Sequence, residues 1–282
     1  MKYYKILNKD EKHHNLQYQT GINIDPLPFN PNGDCEPGGI YFSSEDILGF
    51  LNYGCWIREV TLPENEEIYE ESGNPKKFKA HSVILGERRE INLDVIKELV
   101  NEGANVHVYN DMVLRCAAQN GHLEIVQFLV SVGANVHSED DDALRWASLN
   151  GHFKIVQYLV SVGANVHADD DLALRWASEN GHLEIVKYLV SEGANVHACD
   201  DGALRWASFK GHLEIVKYLV SVGANIHAYN ALRYAAQNGH LEVEEFLVSV
   251  GANVHAENDM ALRCASLKGH VEIVKYLENV HF

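Results

Sequence analysis

At 282 residues the chain has room for one or two domains, and 46% apolar content is ordinary for a globular protein. A net charge of −17 repels phosphate backbones, which argues against nucleic-acid binding and favours a basic patch on a protein partner. Five cysteines, odd in number and without a C-x-x-C pair, argue against a disulfide framework and for a reducing compartment. The opening Met1-Lys2-Tyr3-Tyr4-Lys5 has no apolar signal core and no run reaches membrane-spanning length, so a soluble, intracellular protein without a membrane partner is expected.

Residues 1–90 carry no repeat and a net charge of −5. Lys2 to Leu7 reads as a strand, and Leu16 to Ile24 as one or two more. A loop rich in Pro, Asn and Gly covers 25–33. Gly38 to Phe42 reads as a glycine-led strand. A helix over Glu45 to Tyr53 follows, capped by Ser43 or Ser44 with acids in its first turn. Trp56 to Leu62 alternates as a half-buried strand does. Glu66 to Glu70 and Phe78 to Leu85 read as two further strands around a turn at 71–77. A compact α+β domain that abuts the rest without a linker is expected.

From residue 91 onward the chain repeats itself and carries −12. The Gly-His pair falls at Gly121, Gly151, Gly181, Gly211, Gly239 and Gly269, in steps of 30, 30, 30, 28 and 30. Gly-Ala-Asn recurs from Gly103 to Gly251 in steps of 30, 30, 30, 30 and 28. A fixed period of this size means stacked units, none of which can bury its apolar face alone. Within one unit Leu213, Ile215, Val216, Leu219 and Val220 lie at helical spacing. Gly223 ends that helix, where a left-handed residue costs little.

Ala203-Leu204-Arg205-Trp206-Ala207, then Gly211-His212-Leu213-Glu214-Ile215-Val216, then Gly223-Ala224-Asn225 resemble the ankyrin repeat. The resemblance covers about two-thirds of the chain. It implies a mainly α solenoid over 91–282, a leading half unit plus six helix pairs, preceded by the small α+β domain of 1–90. The unit is shorter than the family's 33 residues and lacks Thr-Pro before its first helix. The β-hairpins are therefore expected to be shortened into tight turns. Asn23-Ile24-Asp25-Pro26, Cys35-Glu36-Pro37-Gly38-Gly39-Ile40-Tyr41-Phe42-Ser43-Ser44 and Arg58-Glu59-Val60 resemble the N-terminal regions of ankyrin proteins from giant DNA viruses of the mimivirus type.

Asp111, Asp141, Asp171, Asp201 and Asp259 stand where an N-cap of each first helix is wanted. Each lies four residues before an arginine, spacing that makes either a surface pair or an arginine ladder for an acidic partner. The histidines recur one per repeat in two columns. Stacked units are roughly 10 Å apart, too far to share a metal, so turn hydrogen bonding is expected and no metal or other cofactor.

The candidate partner-binding residues are Trp146, Trp176 and Trp206 in one column, Leu149, Glu179 and Phe209 bordering the concave groove, and Asp140 and Asp170 at the tips. The tryptophans serve either inter-repeat packing or an aromatic stripe that anchors a partner. The expected function is a non-enzymatic, monomeric scaffold that binds a protein, in a viral setting a host protein of the cytoplasm, through groove and acidic tips. The alternative is an enzyme. Gly39-Ile40-Tyr41-Phe42-Ser43-Ser44 resembles a strand of ADP-ribosyltransferase-like folds, with no catalytic set placed. A cleft near Tyr41 and Ser43 would favour that alternative.

Overall fold

A computed structural model describes residues 2–13, 16–30, 37–71, 73, 75–227 and 231–280. Cys35 and part of the predicted 25–33 loop lie outside them. Contacts group the chain into two compact units, Met1–Ala117 with His122–Ser138, and Ala118–Gly121 with Glu139–Phe282. The repeat pattern begins near residue 91, yet packing ties the N-terminal strands to the first helices of the repeats.

The first unit opens with β1 (Tyr3–Leu7), β2 (Lys12–His13), β3 (Leu16–Gln17), β4 (Gly21–Ile24) and β5 (Ile40–Phe42). A 3₁₀ helix, Ile47–Tyr53, precedes β6 (Trp56–Thr61), β7 (Tyr69–Glu71), β8 (Lys77–Ala80), β9 (Ser82–Leu85) and β10 (Arg89–Glu90). The antiparallel order β1-β6-β9-β4, with β10 also on β6, forms one sheet, and β5-β8-β7 forms another. The predicted single strand over 78–85 is therefore two. It breaks at His81, so that β8 and β9 serve different sheets. A core of Leu7, Tyr18, Ile40, Phe42, Val60, Phe78, Val83 and Leu85 lies among these strands.

Two expectations for this unit are corrected. The 47–53 segment starts at Asp46 without a side-chain cap and has no acid in its first turn. Ser43 instead bridges Tyr4 through the backbone, and its hydroxyl donates to the Lys76 carbonyl at 2.7 Å. Arg58, within an alternating strand, is buried against Glu11 by a two-pronged ion pair of 2.8 and 3.2 Å. Such a pair adds little net stability, but losing either partner strands a buried charge.

Helices α1 (Leu93–Asn101), α2 (Val108–Gln119) and α3 (Leu123–Ser131) continue the chain. The 3₁₀ segment and the start of β1 contact these helices. The Asn105 amide donates to the Glu45 carbonyl at 2.6 Å and its side chain to the Asp46 carboxylate at 3.1 Å. Tyr4 and Lys2 both hold Glu102 at the end of α1. Gly49 lies against Val108 and Tyr109, where a Cβ would meet the valine at 3.0 Å. A stacked array needs terminal capping, and these contacts supply it for the first repeat.

The second unit contains α4 (Ser138–Leu149) from Glu139 on, α5 (Phe153–Ser161), α6 (Ala168–Glu179), α7 (Leu183–Ser191), α8 (Ala198–Lys210), α9 (Leu213–Ser221), α10 (Ala231–Asn238), α11 (Leu241–Ser249), α12 (Ala256–Lys268) and α13 (Val271–Asn279). Helices α6, α8, α10 and α12 pack in sequence as one layer, and α5, α7, α9, α11 and α13 as the other. Leu174 and Leu204 are fully buried, as are Val156, Val186 and Val216 of the second helices. Each such side chain contributes about 1.5–3 kcal/mol on burial.

No strand occurs among the described residues after Glu90, so the hairpin fingers are reduced to turns. Residues 139–141, 169–171, 199–201 and 257–259, and likewise 109–111, are three consecutive residues with φ between 49° and 58°. A left-handed turn costs roughly 1–2 kcal/mol per L-residue, and Asn and Asp tolerate it best. The second position is accordingly Asp or Asn and the third Asp in all five turns.

One column of the second helices is broken. Glu244 occupies the place held by Val126, Val156, Val186, Val216 and Val274 in the other repeats. It is 0% exposed and neither carboxyl oxygen has a hydrogen-bond partner. Burial pushes its pKa up to about 8.

Candidate functional site: the first-helix face and an N-terminal cleft

The polar side chains of each repeat are spent on joining it to the next. Asp141, Asp171 and Asp201 are buried, and each accepts the backbone N–H of the following repeat's asparagine, Asn165, Asn195 or Asn225, at 2.7–2.9 Å. In the first unit Asp111 does the same for Asn135 at 3.0 Å. His167 and His197 hold Asp171 and Asp201 from within the repeat at 3.0 Å. Asp111, Asp141, Asp171 and Asp201 are thus inter-repeat clasps with left-handed backbones rather than caps. The predicted pairing with the arginine four residues on is replaced as well. Arg145 and Arg175 donate to the carbonyls of Glu139 and Asp169 and so hold the left-handed turns, and Arg145 also meets Asp169 of the next repeat at 3.0 Å.

The Gly-His histidines form the second link. His152, His182, His212, His240 and His270 each bond through Nε2 to a carbonyl at the end of the preceding first helix, that of Gln119, Leu149, Glu179, Phe209 or Gln237, at 2.9–3.1 Å. Each ring lies over the preceding repeat's glycine. A Cβ at Gly181 would meet the His212 ring at 2.8 Å. The Gly-His pair therefore answers two needs at once, a positive φ and a bare surface for the next histidine. Among the described residues no three His, Cys, Asp or Glu side chains converge as a metal site would need.

The links also leave part of the first-helix face open. Trp146 and Trp176 approach at 5.5 Å between ring centroids. Trp206 packs edge-on against Phe209 at 5.6 Å, and Phe209 against Tyr234 at 6.0 Å. Trp206 remains 38% exposed. Leu149 and Phe209 are half-buried at the C-terminal end of their helices. Glu179 pairs with Lys210 at 3.5 Å. Asp140 and Asp170 are exposed, but at the opposite end of the helix, roughly 10–14 Å from Leu149 and Glu179. The predicted residues thus form an aromatic stripe with an apolar end and a separate acidic tip edge.

A second feature lies in the first unit. A cleft of about 370 Å³ is lined by Lys5, Tyr41, Ser43, Tyr53, Lys77 and Tyr109 among others. Lys5 is buried on β1. Its ammonium donates to the Tyr41 carbonyl at 2.7 Å and stands 4.7 Å from the Tyr18 ring, and burial lowers its pKa to about 7. The Tyr41 ring has Lys77 and Lys79 at 5.5 and 4.9 Å, and its hydroxyl donates to Glu71 at 3.3 Å. Lys77 forms an ion pair with the same buried Glu71. The cleft was expected only under the enzymatic alternative. Lys5 was missed, because in a short strand nothing marks one lysine as inward.

The ankyrin-repeat family profile matches residues 87–170, 167–230 and 204–280. An ankyrin repeat protein of Acanthamoeba polyphaga mimivirus is 39% identical over 128 residues, 42% of this chain and 42% of its own length. A second from the same virus is 38% identical over 125 residues, 43% of this chain and 38% of its own. The chain thus spans about two-fifths of the length of these relatives. A third mimivirus protein is 37% identical over 126 residues, which are 91% of its length. The repeated helix pairs, their Gly-His links and the extent of these matches place the chain in the ankyrin-repeat family.

Proposed function

We propose that the protein is a monomeric binding scaffold of the host cytoplasm that recognises a basic patch on a host protein with the first-helix face of its repeats. Ankyrin repeats are in general protein–protein interaction modules, and no helix among the described residues is long and apolar enough to cross a membrane. The observation that carries the finer reading is the stripe. On the first helices Trp146 meets Trp176 and Trp206 meets Phe209, and Trp206 stays partly open to solvent. Large aromatics on a rigid support are the usual anchors of an interface. The polar clasps hold the face in place beforehand, which reduces the ordering cost of binding. The exposed acids Glu139, Asp140, Asp169, Asp170 and Asp200 then supply the field that steers a basic partner.

The test is quantitative capture from host-cell extract with the full chain, beside the double variant Leu149→Ser and Phe209→Ser. The captured set should be lost from the double variant, and Asp140→Asn with Asp170→Asn should weaken capture most at low salt. An unchanged set from the double variant would reject the face assignment.

The cleft favours a second reading for the N-terminal domain, an enzyme of the ADP-ribosyltransferase type directed to its target by the repeats. Tyr41 and Ser43 line the cleft, as that reading requires. Stabilising a developing cation would call for a carboxylate as well. The described lining residues include none, and Glu71 behind Tyr41 is committed to Lys77. Transfer of label from a labelled nicotinamide dinucleotide to extract proteins, abolished by Tyr41→Phe, would promote this reading over the first.

A further inference from the structure

The cleft of the first unit has a chemistry opposite to that of the chain as a whole. The protein carries −17, yet Lys5, Lys12 and Lys77 line this cleft and none of its described lining residues is an aspartate or glutamate. Its walls are aromatic, with Tyr41, Phe50 and Tyr53 among them. The nearby acids are engaged behind the walls, Glu71 by Tyr41 and Lys77 and Glu102 by Tyr4 and Lys2.

Lys5 is the buried cation of this cleft. It is 6% exposed, and its ammonium meets one neutral carbonyl and one ring face. Among the described residues no carboxylate lies within ion-pair distance of it. A buried cation so placed is short of negative charge, and its lowered pKa has the same origin. An anion at the cleft would supply the missing charge in a site where water screens it poorly. A ring attached to that anion would find tyrosine and phenylalanine faces, and about 370 Å³ lies in the lower part of the range of small-molecule sites.

We propose that this cleft binds a small aromatic anion, a ring carrying a carboxylate or a phosphate, with Lys5 meeting the negative charge and the aromatic walls holding the ring. This assignment does not depend on the reading of the repeats.

The experiment is calorimetric titration of the full chain with phenyl phosphate, benzoate, phenol and inorganic phosphate. At least one aromatic anion should bind at least tenfold more tightly than both phenol and inorganic phosphate, a gap of about 1.4 kcal/mol. Which of the two binds better decides between phosphate and carboxylate. Lys5→Met should lose that binding while keeping the circular dichroism and melting temperature of the parent. The lysine ε-carbon resonance of Lys5 should titrate at higher pH when the ligand is bound, a readout that needs no variant and decides the matter if Lys5→Met fails to fold. Equal binding of phenol, equal binding of inorganic phosphate, binding retained in folded Lys5→Met, or an unmoved Lys5 titration would each overturn the proposal.

Discussion

Replacing Glu244 should stabilise the array, by an amount that depends on pH. The unfolded chain releases this proton near the ordinary 4.5, and the folded chain near 8. Between those values the folded state holds the extra proton, so stability falls as pH rises through the window. At about 1.4 kcal/mol per pH unit the loss reaches about 3 kcal/mol at pH 7 and levels off above pH 8. Glu244→Gln keeps the shape and removes the ionisation, so its gain should be small at pH 5 and about 3 kcal/mol at pH 7. Glu244→Val restores the residue found in the other repeats. It also removes two orphaned oxygens, which adds about 1–3 kcal/mol at every pH. Urea unfolding of the full chain at pH 5, 7 and 8.5 measures this. If wild type and Glu244→Gln kept the same separation at all three values, the buried, unpartnered carboxyl would be refuted as the cause.

Three further outcomes follow from the links between repeats. Gly181→Ala forces a Cβ against the His212 ring as well as straining a positive φ, and should cost about 2–3 kcal/mol. Gly193→Ala has open space and should lose only about 1 kcal/mol, so a thermal melt ranking the two separates contact from strain. Asp171→Ala removes the acceptor of the Asn195 N–H and should cost about 2 kcal/mol more than Asp170→Ala, which alters an equally left-handed residue but removes no such acceptor. Asp46→Ala leaves the Asn105 side chain and the Lys76 N–H without their acceptor. It should destabilise the first unit by about 1–3 kcal/mol and raise hydrogen exchange in α1.

The periodicity made the array legible. A glycine or histidine that returns every 30 residues must meet the same neighbour each time, and the helix positions followed from that together with the apolar spacing and the resemblance to the ankyrin repeat. The columns also held the Glu244 anomaly in plain view, as a glutamate in a valine position. What the pattern could not convey was direction across the stack. An aspartate ahead of a helix reads as a cap on its own chain, but here its acceptor serves an asparagine 24 residues later. The N-terminal unit was less legible because its strands are short and switch sheets at His81, where no turn residue marks the break. Lys5 could not be anticipated, since its burial comes from strands distant in sequence. Of the candidate face, the sequence placed the aromatic column correctly on the first helices.

The central claim is that the uncovered first-helix face recognises a protein. Hydroxyl-radical footprinting of the full chain, with and without its captured partner, tests it directly. Oxidation of Trp206 and of the neighbouring Trp146 and Trp176 should fall in the complex, while Tyr188 and Tyr218 on the second helices should react as before. Protection of those tyrosines with Trp206 still reactive would place the partner on the other layer and contradict the account.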